Sequence, residues 1–245
     1  MRSAFILIAV LVGMAVSARQ AWAKPVAPTP DPMRLEVPGF ANAFYYRPRG
    51  NGVRPVLMYL HGRGGNPMED CRKWAKVATQ FGWVVCPQGP ADRGGGARAW
   101  DNNAVVGGQI ADASLKALRA KYKRRVQLRG NILMGFSEGA FVAMQVGLRD
   151  PSTWSRWLIL AANDQYWFGD APQLLDHNRS KIKGAYLFTG VHDEVAPNTA
   201  RVADMLKAHK IAYRVKIAQG MGHEVPADRM ITNYRQPLLW LASKK

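Results

Sequence analysis

The sequence lacks an apolar run long enough to cross a membrane comfortably, because a spanning helix needs about 20 apolar residues. Its longest run, 4–16, has thirteen; it follows Arg2 and precedes small residues that end at Ala23. A basic end, a short apolar core and a small-x-small site are typical of a secretory signal peptide. We therefore predict that residues 1–23 are a cleaved signal peptide and that the protein is exported, to a periplasm or out of the cell. An uncleaved membrane anchor is the alternative.

Acidic side chains are scarce, with 17 aspartates and glutamates against 34 lysines and arginines, which gives a formal net charge of +17. A strongly basic protein is attracted to anionic surfaces, so we expect contact with envelope lipids or acidic polymers. The densest basic cluster, 119–129, falls where a predicted helix ends, and cations are stabilised at that end of a helix dipole. No aromatic interleaving or nucleic-acid motif accompanies the cluster, so no nucleic-acid partner is expected.

Cysteine is equally scarce, with only Cys71 and Cys86 in the chain. A metal site would need more ligands at closer spacing, so no metal is predicted. An even cysteine count in an exported protein indicates a disulfide, whose fifteen-residue separation would make it worth about 3 kcal/mol. Two buried thiols are the alternative, because the sequence does not show whether the side chains face each other.

Proline is concentrated at residues 24–33, which we predict to be an extended tether. No internal repeat follows, so residues 34–245 are predicted to form one domain with a substantial core. Short apolar runs alternate there with helical periodicity, which indicates an α/β fold: a mainly parallel sheet with helices on both faces. The predicted strands are 40–46, 56–60, 83–86, 126–134, 157–161, 185–189 and 213–217, and the predicted helices are 68–81, 105–122, 199–209, 230–242 and one that begins near 140.

The chain is organised around the segment 126–147, in which GFSEG lies between an apolar run and a helical pattern. Glycines two residues before and after Ser137 allow a strand and a helix to approach around a tight turn. In such a nucleophile elbow the serine takes strained backbone angles and points its hydroxyl outward. Ser137 is therefore the predicted nucleophile.

A serine hydroxyl is a poor nucleophile until a neighbouring base accepts its proton. His223 is the predicted base, because it lies in a glycine-rich loop after the last predicted strand, at the edge where such sheets bind ligands. Three other histidines, His61, His177 and His209, have ordinary structural explanations, and His192 adjoins a candidate acid.

The acid that orients this base should also follow a strand. Asp193 follows the predicted strand 185–189 and is our choice, while Asp164, after the preceding strand, is the competitor. The resulting chain order is serine, acid, histidine, which distinguishes the α/β-hydrolase arrangement from two other serine-hydrolase scaffolds.

The tetrahedral intermediate of acyl transfer needs two hydrogen-bond donors for its negative oxygen. The backbone amide of Glu138, directly after the nucleophile, is one candidate. The second should come from the HGRGGN loop after strand 56–60, where glycines allow the amide of Arg63 to turn inward.

These motifs resemble those of the α/β-hydrolase superfamily, and within it phospholipase/carboxylesterases and dienelactone-hydrolase-like serine esterases. The resemblance covers about 55–240 and rests on LHGRGG, GFSEGA, TGVHDEVAP and GMGHEVP. It implies a hydrolase that needs no cofactor or metal, and it supports Ser137, Asp193 and His223 as a triad. Many relatives have glutamine where Glu138 stands, so this carboxylate is expected to alter substrate preference.

Two aromatic groups are candidates for the walls of a substrate pocket: Trp100, and Trp167 between Tyr166 and Phe168. Their apolar faces would suit an uncharged acyl or aromatic group, and core packing is the alternative for each. Arg63, Arg93 and Arg98 are candidates for attracting an anionic substrate, and simple exposure to solvent is the alternative. No large lid is expected, because too few residues separate strands 157–161 and 185–189.

The sequence thus predicts hydrolysis of a small or polymeric carboxylic ester, or of a thioester, through an acyl-enzyme on Ser137. A peptidase with the same machinery is one alternative. A non-catalytic, exported protein that binds an anionic polymer is the other, supported only by the net charge.

Overall fold

A computed structural model describes residues 29–167 and 169–244, apart from the side chain of Tyr166. The predicted signal peptide and the first part of the predicted tether lie outside these residues. The main sheet has eight strands in the order β1-β2-β4-β3-β7-β8-β9-β10, and a separate hairpin pairs β5 with β6. The strands are β1 (Met33–Leu35), β2 (Ala43–Tyr46), β3 (Val56–Leu60), β4 (Trp83–Cys86), β5 (Ala91–Asp92), β6 (Arg98–Ala99), β7 (Ile132–Phe136), β8 (Arg156–Leu160), β9 (Gly184–Gly190) and β10 (Tyr213–Ala218).

Six of the sheet strands, from β4 through β10 in spatial order, run parallel, and β1 and β2 extend the sheet antiparallel. The helices are α1 (Pro67–Ala78), α2 (Ala104–Tyr122), α3 (Glu138–Arg149), α4 (Ala171–Asn178), α5 (Ala196–Ala208) and α6 (Met230–Ala242). Residues of α1 and α6 pack into the core on one face of the sheet, and residues of α2, α3, α4 and α5 pack into the core on the other. The predicted fold class is confirmed.

The central strands are mostly apolar, as expected where both faces of a sheet are covered. Every residue of β3, β8 and β9 is buried, including Arg156 at the start of β8. Strands of this kind show continuous apolar runs instead of alternation, which is the pattern that the sequence contains.

Side-chain caps fix the starts of two helices near the site. Asn66 accepts hydrogen bonds from the amides of Met68 and Glu69, and Pro67 occupies the first position of α1. Asn103 caps α2 in the same way through the amide of Val106. Such caps satisfy amides that the helix itself leaves without partners, so each loop enters its helix in a defined direction.

The predicted disulfide between Cys71 and Cys86 is confirmed. The bond joins α1 to the end of β4 across a Cα–Cα distance of 5.6 Å. It ties a helix to the strand beneath it and closes the loop that contains most of α1.

The structure differs locally from the predictions. The predicted strands 40–46 and 126–134 begin only at Ala43 and Ile132, and β1, β5, β6 and α4 were not predicted. β1 has three residues, too few to produce a recognisable period. It begins at Met33, within the predicted tether, and the ion pair Asp31–Arg72 also holds the described end of that segment against α1.

No helix in the described ranges combines the length and apolar character needed to cross a bilayer.

Candidate active site

Ser137 occupies the turn between β7 and α3 with backbone angles of φ 54° and ψ −119°. A positive φ is unfavourable for serine, so the surrounding structure must hold it. A Cβ at Gly135 would overlap the carbonyl oxygen of Gly139, and a Cβ at Gly139 would overlap that of Leu60. Only glycine fits at these two positions, which explains the GFSEG motif.

Three side chains distant in the sequence meet beside this turn. The Ser137 Oγ lies 2.9 Å from Nε2 of His223, and Nδ1 of the same ring lies 2.9 Å from Oδ1 of Asp193. A continuous hydrogen-bonded chain therefore runs from hydroxyl through imidazole to carboxylate, as acyl transfer requires. No three His, Cys, Asp or Glu side chains in the described part of the chain are grouped as metal ligands.

The carboxylate of Asp193 is buried and held by two further donors. Its Oδ2 accepts from the hydroxyl of Thr189 at 2.9 Å, and Oδ1 accepts from the amide of Val195 at 3.0 Å. The Val195 contact is a local turn of the kind that aspartate commonly forms with an amide two residues on, so sequence could have indicated it. Thr189 carried no such signal. Both donors leave the carboxylate facing the imidazole.

The loop that carries His223 is fixed against the end of β9. The amide of His192 donates to the carbonyl of Met221 at 3.0 Å, and the amide of Val191 donates to that of Ala218 at 2.9 Å. A Cβ at Gly190 would overlap the Met221 carbonyl. The backbones that present the acid and the base are thus in direct contact.

The competing acid, Asp164, is engaged elsewhere. It pairs with Arg201 at 2.6 Å and accepts from Asn198 at 2.6 Å, and the hydrogen bond from Arg201 lowers its pKa. Its described contacts do not include His223, so Asp193 is the carboxylate that meets the imidazole.

His61 has the structural role that the sequence suggested. Its ring is buried; Nδ1 donates to the carbonyl of Gly62 at 2.8 Å, and Nε2 accepts from the amide of Gly89 at 3.0 Å. Burial lowers its pKa, which favours the neutral ring that this pattern requires. His61 therefore joins the loop after β3 to the loop after β4.

The loop after β3 lies directly beside the nucleophile. A Cβ at Gly62 would contact Cβ of Ser137 at 3.4 Å, and β6 fixes the loop through the Gly64–Arg98 backbone hydrogen bond of 2.8 Å. Neither the amide of Arg63 nor that of Glu138 donates to a group in the described residues. Both predicted oxyanion donors remain available to an incoming oxygen.

The side chain of Glu138 is buried and is held by the loops on either side of it. Its Oε2 accepts from the amide of Trp100 at 2.9 Å, and Oε1 accepts from the amide of Asn102 at 3.2 Å. Oε1 also pairs with the guanidinium of Arg63 at 2.5 Å. One carboxylate thus joins the predicted oxyanion loop, the start of α3 and the loop before α2.

The prediction that Trp100 and Trp167 form the walls of the substrate pocket is wrong. Trp100 is 0% exposed and donates from Nε1 to the carbonyl of His61 at 2.8 Å, and Trp167 is 1% exposed within the core. Large aromatic surfaces gain most from full burial, and core packing was the alternative interpretation. The cleft has a volume of about 230 Å³ and is lined by Arg63, Asn102, Ser137, Glu138, Phe141, Ala161, Asn163, Val195 and His223.

Two of the three arginines considered for attracting a substrate are paired outside this lining. Arg93 pairs with Asp101, and Arg98 pairs with Asp92 at 2.9 Å. Arg63 lies in the lining, although its charge is already shared between Glu138 and Asp101.

The strand order and the serine turn together define the α/β-hydrolase fold, and no lid domain covers the cleft in the described residues.

No protein-family model matches the sequence, and no curated protein is significantly similar to it. Solved structures share the fold. An S-formylglutathione hydrolase from Agrobacterium tumefaciens is similar at a TM-score of 0.62 and 16% identity, over 83% of this chain and 89% of that one.

Two other solved structures agree. FphF, a fluorophosphonate-binding serine hydrolase of Staphylococcus aureus, has a TM-score of 0.63 and 15% identity, over 86% of this chain and 97% of that one. Esterase PE8 has a TM-score of 0.61 and 22% identity, over 87% of this chain and all of that one. At such low identity the likeness establishes the fold.

Proposed function

We propose that the protein is a serine hydrolase that cleaves carboxylic esters through an acyl-enzyme on Ser137. The observation that carries this proposal is the hydrogen-bonded chain from Ser137 through His223 to Asp193, with both links at 2.9 Å. The esterases and serine hydrolases among the structural neighbours support the same class of reaction.

In the first half of the reaction, Nε2 of His223 removes the hydroxyl proton as Oγ of Ser137 attacks the ester carbonyl. Asp193 holds the tautomer in which Nδ1 carries a proton, and it stabilises the imidazolium that forms. The amides of Arg63 and Glu138 donate to the negative oxygen of the tetrahedral intermediate.

Collapse of this intermediate breaks the bond to the alcohol, which leaves with the proton that His223 returns. In the second half, the same imidazole activates a water that attacks the acyl-enzyme. The acid is released and the hydroxyl of Ser137 is restored. Every proton transfer in the cycle uses Nε2, which lies beside the nucleophile.

The cleft favours a short acyl group. Its volume of about 230 Å³ is below the usual range for drug-sized ligands, and Phe141, Ala161 and Val195 provide its apolar lining. The polar residues Asn102 and Asn163 line the same cleft. We therefore place short-chain esters first, with thioesters of similar acyl length next, and long-chain lipids outside the substrate range.

A substrate panel tests the proposal. We expect p-nitrophenyl acetate and butyrate to be hydrolysed much faster than the octanoate, and Ser137→Ala to reduce all of these rates to near background. A butyryl thioester tests thioester cleavage and a butyryl p-nitroanilide tests amide cleavage, each against the matched butyrate ester. Faster hydrolysis of the anilide than of every ester would favour the peptidase alternative. No hydrolysis of any substrate would favour the binding protein.

We also propose that the protein is exported after removal of residues 1–23. The disulfide supports this proposal, because such bonds persist in oxidising compartments. Expression of the whole chain followed by N-terminal sequencing of the envelope fraction should give Lys24 as the first residue. An intact Met1 in a membrane fraction would instead support the anchor.

A further inference from the structure

A second pocket lies at the opposite edge of the sheet from the candidate active site. It has a volume of about 520 Å³ and is formed where β3, β7, β8 and β9 begin and α6 ends. Its charged lining residues are four cations, Arg54, Arg156, Lys183 and Lys244, and its lining includes no carboxylate. The two sites lie at opposite ends of β7, which at the usual rise per strand residue is about 17 Å long.

Arg156 is the most unusual of these cations, because it is 8% exposed and has no acidic partner among residues 29–167 and 169–244. Its Nη2 donates to the carbonyl of Gly130 and its Nη1 to that of Leu241 at 3.4 Å, while Nε has no partner in the described residues. Burial lowers the pKa of Arg156, because removal from water disfavours the charged guanidinium. A buried charge is costly unless an opposite charge accompanies it, so the guanidinium favours an anion nearby.

The other three cations are also without carboxylate partners in the described part of the chain. Nζ of Lys183 donates to the carbonyl of Ser180 at 3.1 Å, and Nζ of Lys244 lies 4.5 Å from the centre of the Trp240 ring. Arg54 uses its backbone, and not its guanidinium, to bind the neighbouring loop. Four positive charges therefore line one concave surface, and no carboxylate of the described residues neutralises them.

An adjoining hollow of about 370 Å³ extends this surface and shares Gly130, Ser155 and Lys183 with the first pocket. It adds the cations Arg129 and Lys181 and the serines Ser152 and Ser180. Guanidinium, ammonium and hydroxyl groups are the donors that proteins use for phosphate oxygens. We call the two hollows together the basic pocket.

We propose that the basic pocket binds the phosphate group of an anionic ligand. A tetrahedral phosphate offers several acceptor oxygens and up to two negative charges, which suits converging donors on several strands better than a single carboxylate does. The volume exceeds that of one phosphate, so the group belongs to a larger molecule, either a soluble phosphoester or an anionic phospholipid. Phe81 is the only aromatic that the described residues contribute to the lining, which argues against stacked nucleic-acid bases.

Titration calorimetry with inorganic phosphate at constant ionic strength tests this site in the full-length protein. We expect saturable binding that Lys183→Ala/Lys244→Ala weakens about tenfold or more, since two charge-assisted contacts are removed. Lys116→Ala/Lys207→Ala is the matched control, because it removes the same charge from exposed positions outside the pocket. Arg156→Gln should bind phosphate more weakly still.

Sedimentation with vesicles distinguishes the two sources of phosphate. The pocket variant is Lys183→Ala/Lys244→Ala. Binding to phosphatidylglycerol vesicles but not to phosphatidylcholine vesicles would identify a lipid head group, provided that the pocket variant loses this binding and the control variant keeps it. Binding of free phosphate without vesicle binding would identify a soluble phosphoester. Equal weakening in both double variants, or no saturable binding of phosphate in either assay, would overturn the proposal. Ester hydrolysis by the pocket variant should equal that of the wild type, so this result is independent of the proposed reaction.

Discussion

The two edges of the central sheet differ in how they accommodate charge. At the carboxyl edge, the buried carboxylates of Asp193 and Glu138 each accept hydrogen bonds from at least three groups. At the amino edge, the buried guanidinium of Arg156 meets only carbonyl oxygens, and the cations around it have no acidic partners in the described residues. The first arrangement is complete by itself and can orient a reaction. The second leaves the charge of Arg156 without an opposite charge in the described residues, and this is the observation from which we propose an anion site.

Removal of the nucleophile should give the largest effect. We expect Ser137→Ala to lower kcat for p-nitrophenyl butyrate by about 10⁴-fold or more, leaving only the rate that substrate binding and the oxyanion donors provide. Steady-state kinetics measure the loss, and Ser243→Ala, at an exposed helix end, should match the wild type. A variant that retains more than a tenth of the activity would remove Ser137 from the mechanism.

Changing the acid should give the next largest effect. Asp193→Asn keeps the shape but lets the amide stabilise the wrong imidazole tautomer, so kcat should fall about 10³–10⁴-fold with little change in KM. Circular dichroism should be unchanged. A loss of less than tenfold would mean that another group orients His223.

The buried carboxylate beside the nucleophile should show an intermediate effect. Glu138→Gln places an amide N–H₂ opposite donors from Trp100, Asn102 or Arg63, so the free energy of unfolding should fall by about 1–3 kcal/mol. The loosened loop should also lower kcat about tenfold. Denaturant melts and kinetics measure both, with Glu36→Gln, at an exposed position, as the control. Unchanged stability and kcat together would show that this carboxylate does not hold the loop.

The competing acid should give the smallest effect. Asp164→Asn should leave kcat/KM within about twofold, because its partners are Arg201 and Asn198. Its pKa is lowered in the folded protein by the Arg201 hydrogen bond, so it adds stability above the ordinary aspartate pKa of about 3.9, and this is lost as pH falls through the lowered value. Thermal melts of both proteins should therefore differ modestly at pH 7, and the difference should shrink as the pH falls below the ordinary aspartate pKa. A large loss of activity would exchange the roles of Asp164 and Asp193.

The sequence contained more information about the carboxyl edge than about the amino edge. The glycines around Ser137 and the strand-end positions of Asp193 and His223 carry local signals, because parallel strands bring their carboxyl ends to one edge. Thr189 carried none, since its contact with Asp193 depends on the path of the loop. The predictions for Trp100 and Trp167 were wrong because position in a loop near the site does not fix where a ring points, and both rings are buried in the core.

The basic pocket could not be predicted from local pattern at all. Its cations come from positions as distant as 54 and 244, and only the sheet brings them together. The densest basic run in the sequence, 119–129, contributes only Arg129 to it together with the polar Gln127. Net charge led us to expect an anionic partner, but where the cations gather depends on the fold.

The most direct test of the reaction is to map the adduct of a fluorophosphonate probe by peptide mass spectrometry. The hydroxyl of Ser137, activated by His223, should carry a single stoichiometric adduct, and Ser137→Ala should carry none. An adduct on another residue, or continued ester hydrolysis by protein that the probe does not modify, would contradict the proposed nucleophile.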